Sequence, residues 1–275
     1  MRRSPSGWSC SLPSDGPTLY PDLNEVLRRL VTGATRALAG DFVGAYLQGS
    51  FALGSADEHS DVDFVVVTAR EPDDARIDRL QAMHEAIFEL PVSWAQHLEG
   101  SYVPAESLRR LDPGQKYPFL DNGSSELVGD EHCNTAVVRW ILRERGIGLA
   151  GPPPRDLVDP VSAEQLRSEA LTRVHEYAQW ARESADAAAM NRWQQSYLVL
   201  TFCRLLHTAR TGTVTTKANA AAWALESLTA EWAELIRTAV DDRPDPWGRV
   251  HEAADPQVAG RTLAFASYAV ACSIS

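Results

Sequence analysis

The sequence predicts an α+β chain in which a sheet flanked by helices is followed by an all-helical bundle, and three observations carry that reading. Short apolar runs at 43–47 and 62–67 alternate with helical segments at 22–38 and 77–88, the interleaving expected of strands covered by helices. Beyond Pro160, segment after segment keeps helical spacing to the end of the chain. Between the two textures stands Gly151-Pro152-Pro153-Pro154, a run of breakers that reads as a linker.

Taken in order, residues 1–17 are dominated by Ser, Pro and Gly. They carry Arg2-Arg3 but no apolar core of the signal-peptide kind, and are expected to be a flexible tail. The first domain is expected over 18–150, the linker over 151–160 and the helical domain over 161–275. Leu23, Val26, Leu27, Leu30 and Val31 form a helical stripe that belongs to a core. Ala45-Tyr46-Leu47 reads as a strand leading into a Gly49-Ser50 turn, with a short helix from Phe51 to Gly54. Asp61-Val62-Asp63 then enters a second strand, and Ala95 to Val103 reads as a third with Glu99 near its middle. Helices follow at 162–185, 193–210, 216–228 and 231–240, with a last one around 258–273. Gly212 stops the second of these, and Thr215 or Thr216 caps the third.

Composition narrows the function classes. The chain has 275 residues, 44% hydrophobic and 23% charged, ordinary for a globular protein with two modest cores. No apolar run approaches the roughly 20 residues of a membrane span, so no membrane association is expected. Cys10, Cys133, Cys203 and Cys272 are scattered with no Cys-x-x-Cys pair. They indicate neither a zinc site nor a disulfide framework and fit a reducing cytoplasm. With 37 acidic against 26 basic residues the net charge is −11, which argues against a nucleic-acid partner. An acidic surface suits a small cationic acceptor instead.

The chemistry concentrates between Gly49 and Asp63. Gly49-Ser50 lets backbone approach a ligand closely and offers N–H groups and a hydroxyl to phosphate oxygens. Eleven residues on, Ser60-Asp61-Val62-Asp63 sets two carboxylates on one side of a strand, because strand side chains alternate. Such a pair repels itself unless a cation intervenes. Mg²⁺ fits, since it takes oxygen ligands and shares its shell with substrate phosphates. Phosphate beside metal suggests transfer chemistry on a nucleoside triphosphate.

Gly49-Ser50, Gly54 and Ser60-Asp61-Val62-Asp63 resemble the nucleotidyltransferase signature of the polymerase-β-like superfamily. Within it the chain is similar to the aminoglycoside 3''-adenylyltransferases, through Leu200-Thr201-Phe202-Cys203-Arg204, Thr211-Gly212, Lys217 and Ala221-Ala222-Trp223. The resemblance spans roughly residues 30–245. It implies an N-terminal nucleotidyltransferase domain with a mixed sheet and a helical C-terminal domain, with ATP bound between them. It also implies metal on Asp61 and Asp63 and nucleotide contacts from Gly49, Ser50, Ser60, Arg204 and Lys217.

Leu98-Glu99 matches the glutamate that serves as catalytic base in this family. From the residues alone, Glu99 could instead be a third metal ligand or an exposed strand residue. Arg204 sits in a mostly apolar helical segment where an unpaired charge is costly, and its forked guanidinium suits phosphate; an interhelical ion pair is the other reading. Lys217 opens the next helix, where it either meets the same triphosphate or is simply solvated.

The expected reaction is Mg²⁺-dependent transfer of AMP from ATP to a hydroxyl of an aminoglycoside or aminocyclitol, an antibiotic-resistance activity. The alternatives are adenylylation of a protein or other metabolite, and a nucleotide-binding sensor without catalysis. The acceptor side departs from the family. Asn191-Arg192-Trp193-Gln194-Gln195-Ser196-Tyr197 holds no carboxylate where relatives grip drug amino groups, and Arg192 would repel a polycation. Glu176, Glu183 or Asp186 on the preceding helix are the substitutes at hand. The segment Tyr117 to Ser124 offers no clear counterpart to the family's drug-binding tryptophan.

Overall fold

The computed structural model describes residues 16–186 and 190–273, so all but the last two residues of the expected tail lie outside it. The chain divides into two compact units after Pro160.

The first unit begins with α1 (Pro21–Leu38), whose predicted stripe is fully engaged: Leu23, Val26, Leu27 and Leu30 are completely buried. There follow β1 (Phe42–Leu47), the one-turn α2 (Gly49–Ala52), β2 (Val62–Thr68), α3 (Asp74–Phe88), β3 (Leu98–Pro104) and α4 (Ala105–Arg109). The unit continues through β4 (Tyr117–Leu120), β5 (Leu127–Asp130), α5 (Ala136–Arg145) and β6 (Ile147–Ala150). The six strands form one mixed sheet in the order β5-β4-β3-β2-β1-β6. Only β2 and β3 run parallel, because α3 carries the chain back across the sheet between them; the other pairings are antiparallel.

Alternation along β2 divides two cores. Val62, Phe64 and Val66 face the layer holding the stripe of α1 and Leu80 and Ile87 of α3. Val65 and Val67 face a second layer with Val103, Phe119, Cys133, Val138 and Leu142. Asp63 continues that second side, at the beginning of the strand. Under the first layer His84 meets the Tyr102 hydroxyl at 2.7 Å, and burial pushes the His84 pKa down to about 3, leaving a neutral ring.

One expectation, the extent of the third strand, is corrected. The third strand begins only at Leu98, since Ser93–Gln96 is a 3-10 turn; Glu99 is therefore its second residue and lies near one end. The proline segment 151–160 packs on the first unit. Tyr46 donates to the Pro152 carbonyl at 2.7 Å, Arg143 donates to the carbonyls of Arg155 and Val158, and Val158 is buried.

The second unit is helical: α6 (Ala163–Asp186), α7 (Arg192–Thr211), α8 (Lys217–Ser227), α9 (Ala233–Asp241), α10 (Pro246–Arg249) and α11 (Pro256–Ser273). Its boundaries follow capping chemistry. Asn191 and Gln194 form a reciprocal capping box, Gly212 ends α7 in the left-handed conformation, and Thr216 accepts from the Asn219 N–H. Phe202 and Phe265 meet edge to face and are completely buried, each contributing roughly 2–3 kcal/mol of apolar burial.

Candidate active site

The turn after β1 is built against β2. Gln48, itself buried, donates its backbone N–H to the Asp63 carbonyl at 2.9 Å. Gly49 follows with φ +57°, a conformation that costs any other residue. A Cβ there would lie 2.5 Å from Asp63 Cγ and 2.9 Å from its Cβ, and closer still to Oδ2. Glycine is thus required twice, by its dihedral and by the carboxylate against it. Next to it, the Ser50 hydroxyl is buried and finds no hydrogen-bond partner. Leaving such a group unpaired costs about 1–3 kcal/mol, and an entering anion would relieve that cost.

The carboxylates gather at the starts of the two parallel strands. Asp63 and Glu99 are register partners on β2 and β3. Asp61, just ahead of β2, accepts from Asn122 Nδ2 at 2.7 Å, and Asn122 Oδ1 faces His97 Nδ1 at 3.0 Å. In this amide orientation His97 Nδ1 carries the hydrogen, so His97, Asn122 and Asp61 form one oriented chain. Burial lowers the His97 pKa, with the Asn122 bond opposing.

Glu99, with only 13% of its side chain exposed, places Oε1 2.7 Å from His132 Nε2. The His132 ring stacks on Phe119 at 4.8 Å and 22°. Burial alone would lower the His132 pKa, but the Glu99 hydrogen bond and the charges of Glu99, Asp63 and Asp130 outweigh it and raise it to about 9. Asp121, beyond β4, is raised by burial first and by the Glu99 charge second. The region is strongly electronegative apart from that imidazolium.

Among the described residues no group of three or more His, Cys, Asp or Glu is arranged to hold a metal by itself. A cation on Asp61 and Asp63 therefore needs oxygens from water or substrate, the habit of Mg²⁺. The donor set fits that ion: two carboxylates, one oriented by an amide, beside a turn with an unpaired hydroxyl.

Of the predicted first-unit residues, Gly49 lies against Asp63 and Asp63 is in register with Glu99. Ser60 is buried, but its hydroxyl accepts from the Asp57 N–H and donates to the Asp57 carboxylate, both at 3.0 Å. It closes the turn that delivers Asp61.

In the second unit, Arg204 Nε is buried without a hydrogen-bond partner. Lys217 Nζ lies 5.3 Å from the Tyr197 ring centre, a cation–π contact. Tyr197 stacks on Trp193 at 5.2 Å and stands two helical turns before Arg204 on the same face of α7.

Arg192 differs from expectation. It is paired with Asp242 and Glu252, so its charge is answered within the unit and its role is to tie the start of α7 to the segments around α9 and α10. Of the substitute carboxylates, Glu176 is paired with Arg173 and Glu183 accepts from Gln179. The Asp186 side chain lies outside the described residues.

Sequence reading missed Gln48, His97, Asn122 and His132. Asn122 and Phe119 lie in the Tyr117–Ser124 segment that had no assignment. His132 has no local signal at all, because its partner is 33 positions away.

Comparison with known proteins finds similarity in both units. Residues 35–113 match the family model described as nucleotidyltransferase domain, and residues 156–259 match that of the aminoglycoside adenylyltransferase C-terminal domain. An aminoglycoside (3'') (9) adenylyltransferase of Shigella flexneri is 23% identical over 237 residues, covering 78% of this chain and 83% of that protein. A spectinomycin 9-adenylyltransferase of Campylobacter jejuni is 22% identical over 242 residues, 83% of this chain and 90% of the relative. The fold matches spectinomycin adenyltransferase AAD(9) from Enterococcus faecialis, solved with ATP and spectinomycin. The TM-score is 0.67 at 15% identity, over 90% of this chain and 98% of that one.

Proposed function

The chain belongs to the aminoglycoside adenylyltransferase-like nucleotidyltransferases, and from that premise we propose that it transfers AMP from ATP to a hydroxyl of an aminocyclitol or aminoglycoside antibiotic. The observation that carries the reading is the Gly49–Asp63–Glu99 constellation: a glycine turn pressed against one carboxylate, with a second in register beside it. That arrangement supports assigning phosphate, metal and base roles to one end of the β2–β3 pair.

In the proposed reaction the backbone at Gly49 and the Ser50 hydroxyl bind triphosphate oxygens. Mg²⁺, when bound to Asp61 and Asp63, supplies charge neutralisation to the phosphates. Arg204 and Lys217 are assigned to the triphosphate as its cationic partners, a role supported by the unpaired Nε of Arg204. Glu99 accepts the proton of the acceptor hydroxyl; the new bond forms from that oxygen to the α-phosphorus, and pyrophosphate departs with the electron pair of the broken bond. We place the reaction in the cytoplasm, where ATP is available. No helix among the described residues is long and apolar enough to cross a membrane.

ATP labelled at the α-phosphate, incubated with Mg²⁺ and either spectinomycin or streptomycin, tests the reading. Label should move to a drug and be lost in Asp63→Asn and Glu99→Gln. Label on no drug, or transfer that survives Asp63→Asn, rejects it.

A further inference from the structure

We propose that His132 is a positioning residue for the base Glu99, holding carboxylate oxygen Oε1 so that Oε2 is presented to the acceptor hydroxyl. The inference rests on the adenylyl-transfer reading above and adds to it a residue that neither sequence motif contains.

The geometry is specific. His132 lies just beyond the end of β5, and its Nε2 meets Glu99 Oε1 at 2.7 Å. Its ring is held by the parallel stack on Phe119 of β4, so the donor direction is set by two strands other than the one bearing Glu99. Glu99 has rotatable bonds that a strand backbone does not restrain, and a base must sit within a few tenths of an ångström of its proton donor's line. Acidic groups stand near this pair: Asp63 from β2, Asp121 after β4 and Asp130 from β5. Without an opposing donor, Glu99 would be turned away from them by repulsion. His132 is the cation set among these carboxylates, and its raised pKa keeps it a donor on both nitrogens at neutral pH.

During transfer the proton leaves the acceptor oxygen for Glu99 Oε2, the oxygen–phosphorus bond forms, and the bond to pyrophosphate breaks. His132 keeps its own proton throughout.

Two substitutions separate positioning from packing. His132→Phe keeps a ring on Phe119 and removes the donor; His132→Gln keeps a donor and removes the ring. With ATP, Mg²⁺ and spectinomycin, kcat should fall about 10- to 100-fold in His132→Phe with KM for ATP within twofold, and His132→Gln should recover most of it. Wild-type kcat in His132→Phe, or an equal loss in both variants, overturns the proposal.

A second measurement needs no turnover. The imidazole of His132, followed by NMR, should titrate at lower pH in Glu99→Gln than in the wild type, and an unchanged titration also overturns the pairing. If the wild type adenylylates no drug, the function reading has failed. If the wild type is active and Glu99→Gln is dead while His132→Phe is normal, only the present inference has failed.

Discussion

Adding one methyl group at Gly49 should damage stability and catalysis together, and the structure sets the size of both effects. The residue sits at φ +57°, which costs a non-glycine residue about 1–2 kcal/mol. The methyl would also lie 2.9 Å from Asp63 Cβ and 2.5 Å from its Cγ. Because the Cβ itself is too close, no rotation of the Asp63 side chain clears the space, and backbone must move. Overpacking of that kind costs about 1–3 kcal/mol, so Gly49→Ala should lose about 2–5 kcal/mol in all.

Gly54 supplies the control: it has φ +70° and nothing within 4 Å of an added Cβ. Gly54→Ala should therefore lose only the dihedral cost, about 1–2 kcal/mol. Urea unfolding monitored by circular dichroism gives the difference between the two variants, and α-labelled ATP gives turnover. A shift of about 1 Å at Asp63 should cost on the order of 100-fold in kcat, against little change for Gly54→Ala. If the two variants unfold at the same urea concentration and turn over equally, the packing of Gly49 on Asp63 is not what ties the turn to the metal ligand.

Three further outcomes are expected. The His84 pKa is about 3 in the fold against roughly 6.5 unfolded. The unfolded state therefore binds the extra proton, and this contribution is complete above pH 6.5 and declines below it. Between pH 7 and 5 about 2 kcal/mol should be lost, and His84→Gln should flatten that slope in urea titrations. Arg204→Met should leave unfolding unchanged or slightly later, since it removes a buried unpaired Nε, yet raise KM for ATP about tenfold, equivalent to ~1.4 kcal/mol. Arg192→Ala should lower the thermal midpoint of the helical unit, chiefly through the half-buried Asp242, which loses its cation while Glu252 keeps Arg249; a normal midpoint would mean that the pairing is solvated and idle.

Local chemistry was legible in the sequence. The stripe of α1, the cap at Thr216, the stop at Gly212 and the glycine-then-aspartate motif all act over a few residues, where helical and strand periods and dihedral preferences are decided. Glu99 was singled out through the family resemblance at Leu98-Glu99; its place near the strand end was not legible, because the 3-10 turn at Ser93–Gln96 carries no distinct apolar pattern. The contacts of the proline segment were not legible for a related reason: prolines announce a break in regular structure, while the carbonyls that the segment presents to Tyr46 and Arg143 depend on what the sheet and α5 bring alongside.

By itself, then, the sequence determined the two textures of the chain and the glycine-then-aspartate motif proposed to meet a nucleotide's phosphates. Tertiary structure decided which groups complete that motif. Asn122 reaches Asp61 across 61 positions, and His132 reaches Glu99. Such pairs follow from strand order and register, β2 parallel to β3 and β4 antiparallel beside it. Register is set by how all six strands bury their apolar sides at once, a collective outcome that no short window of residues contains.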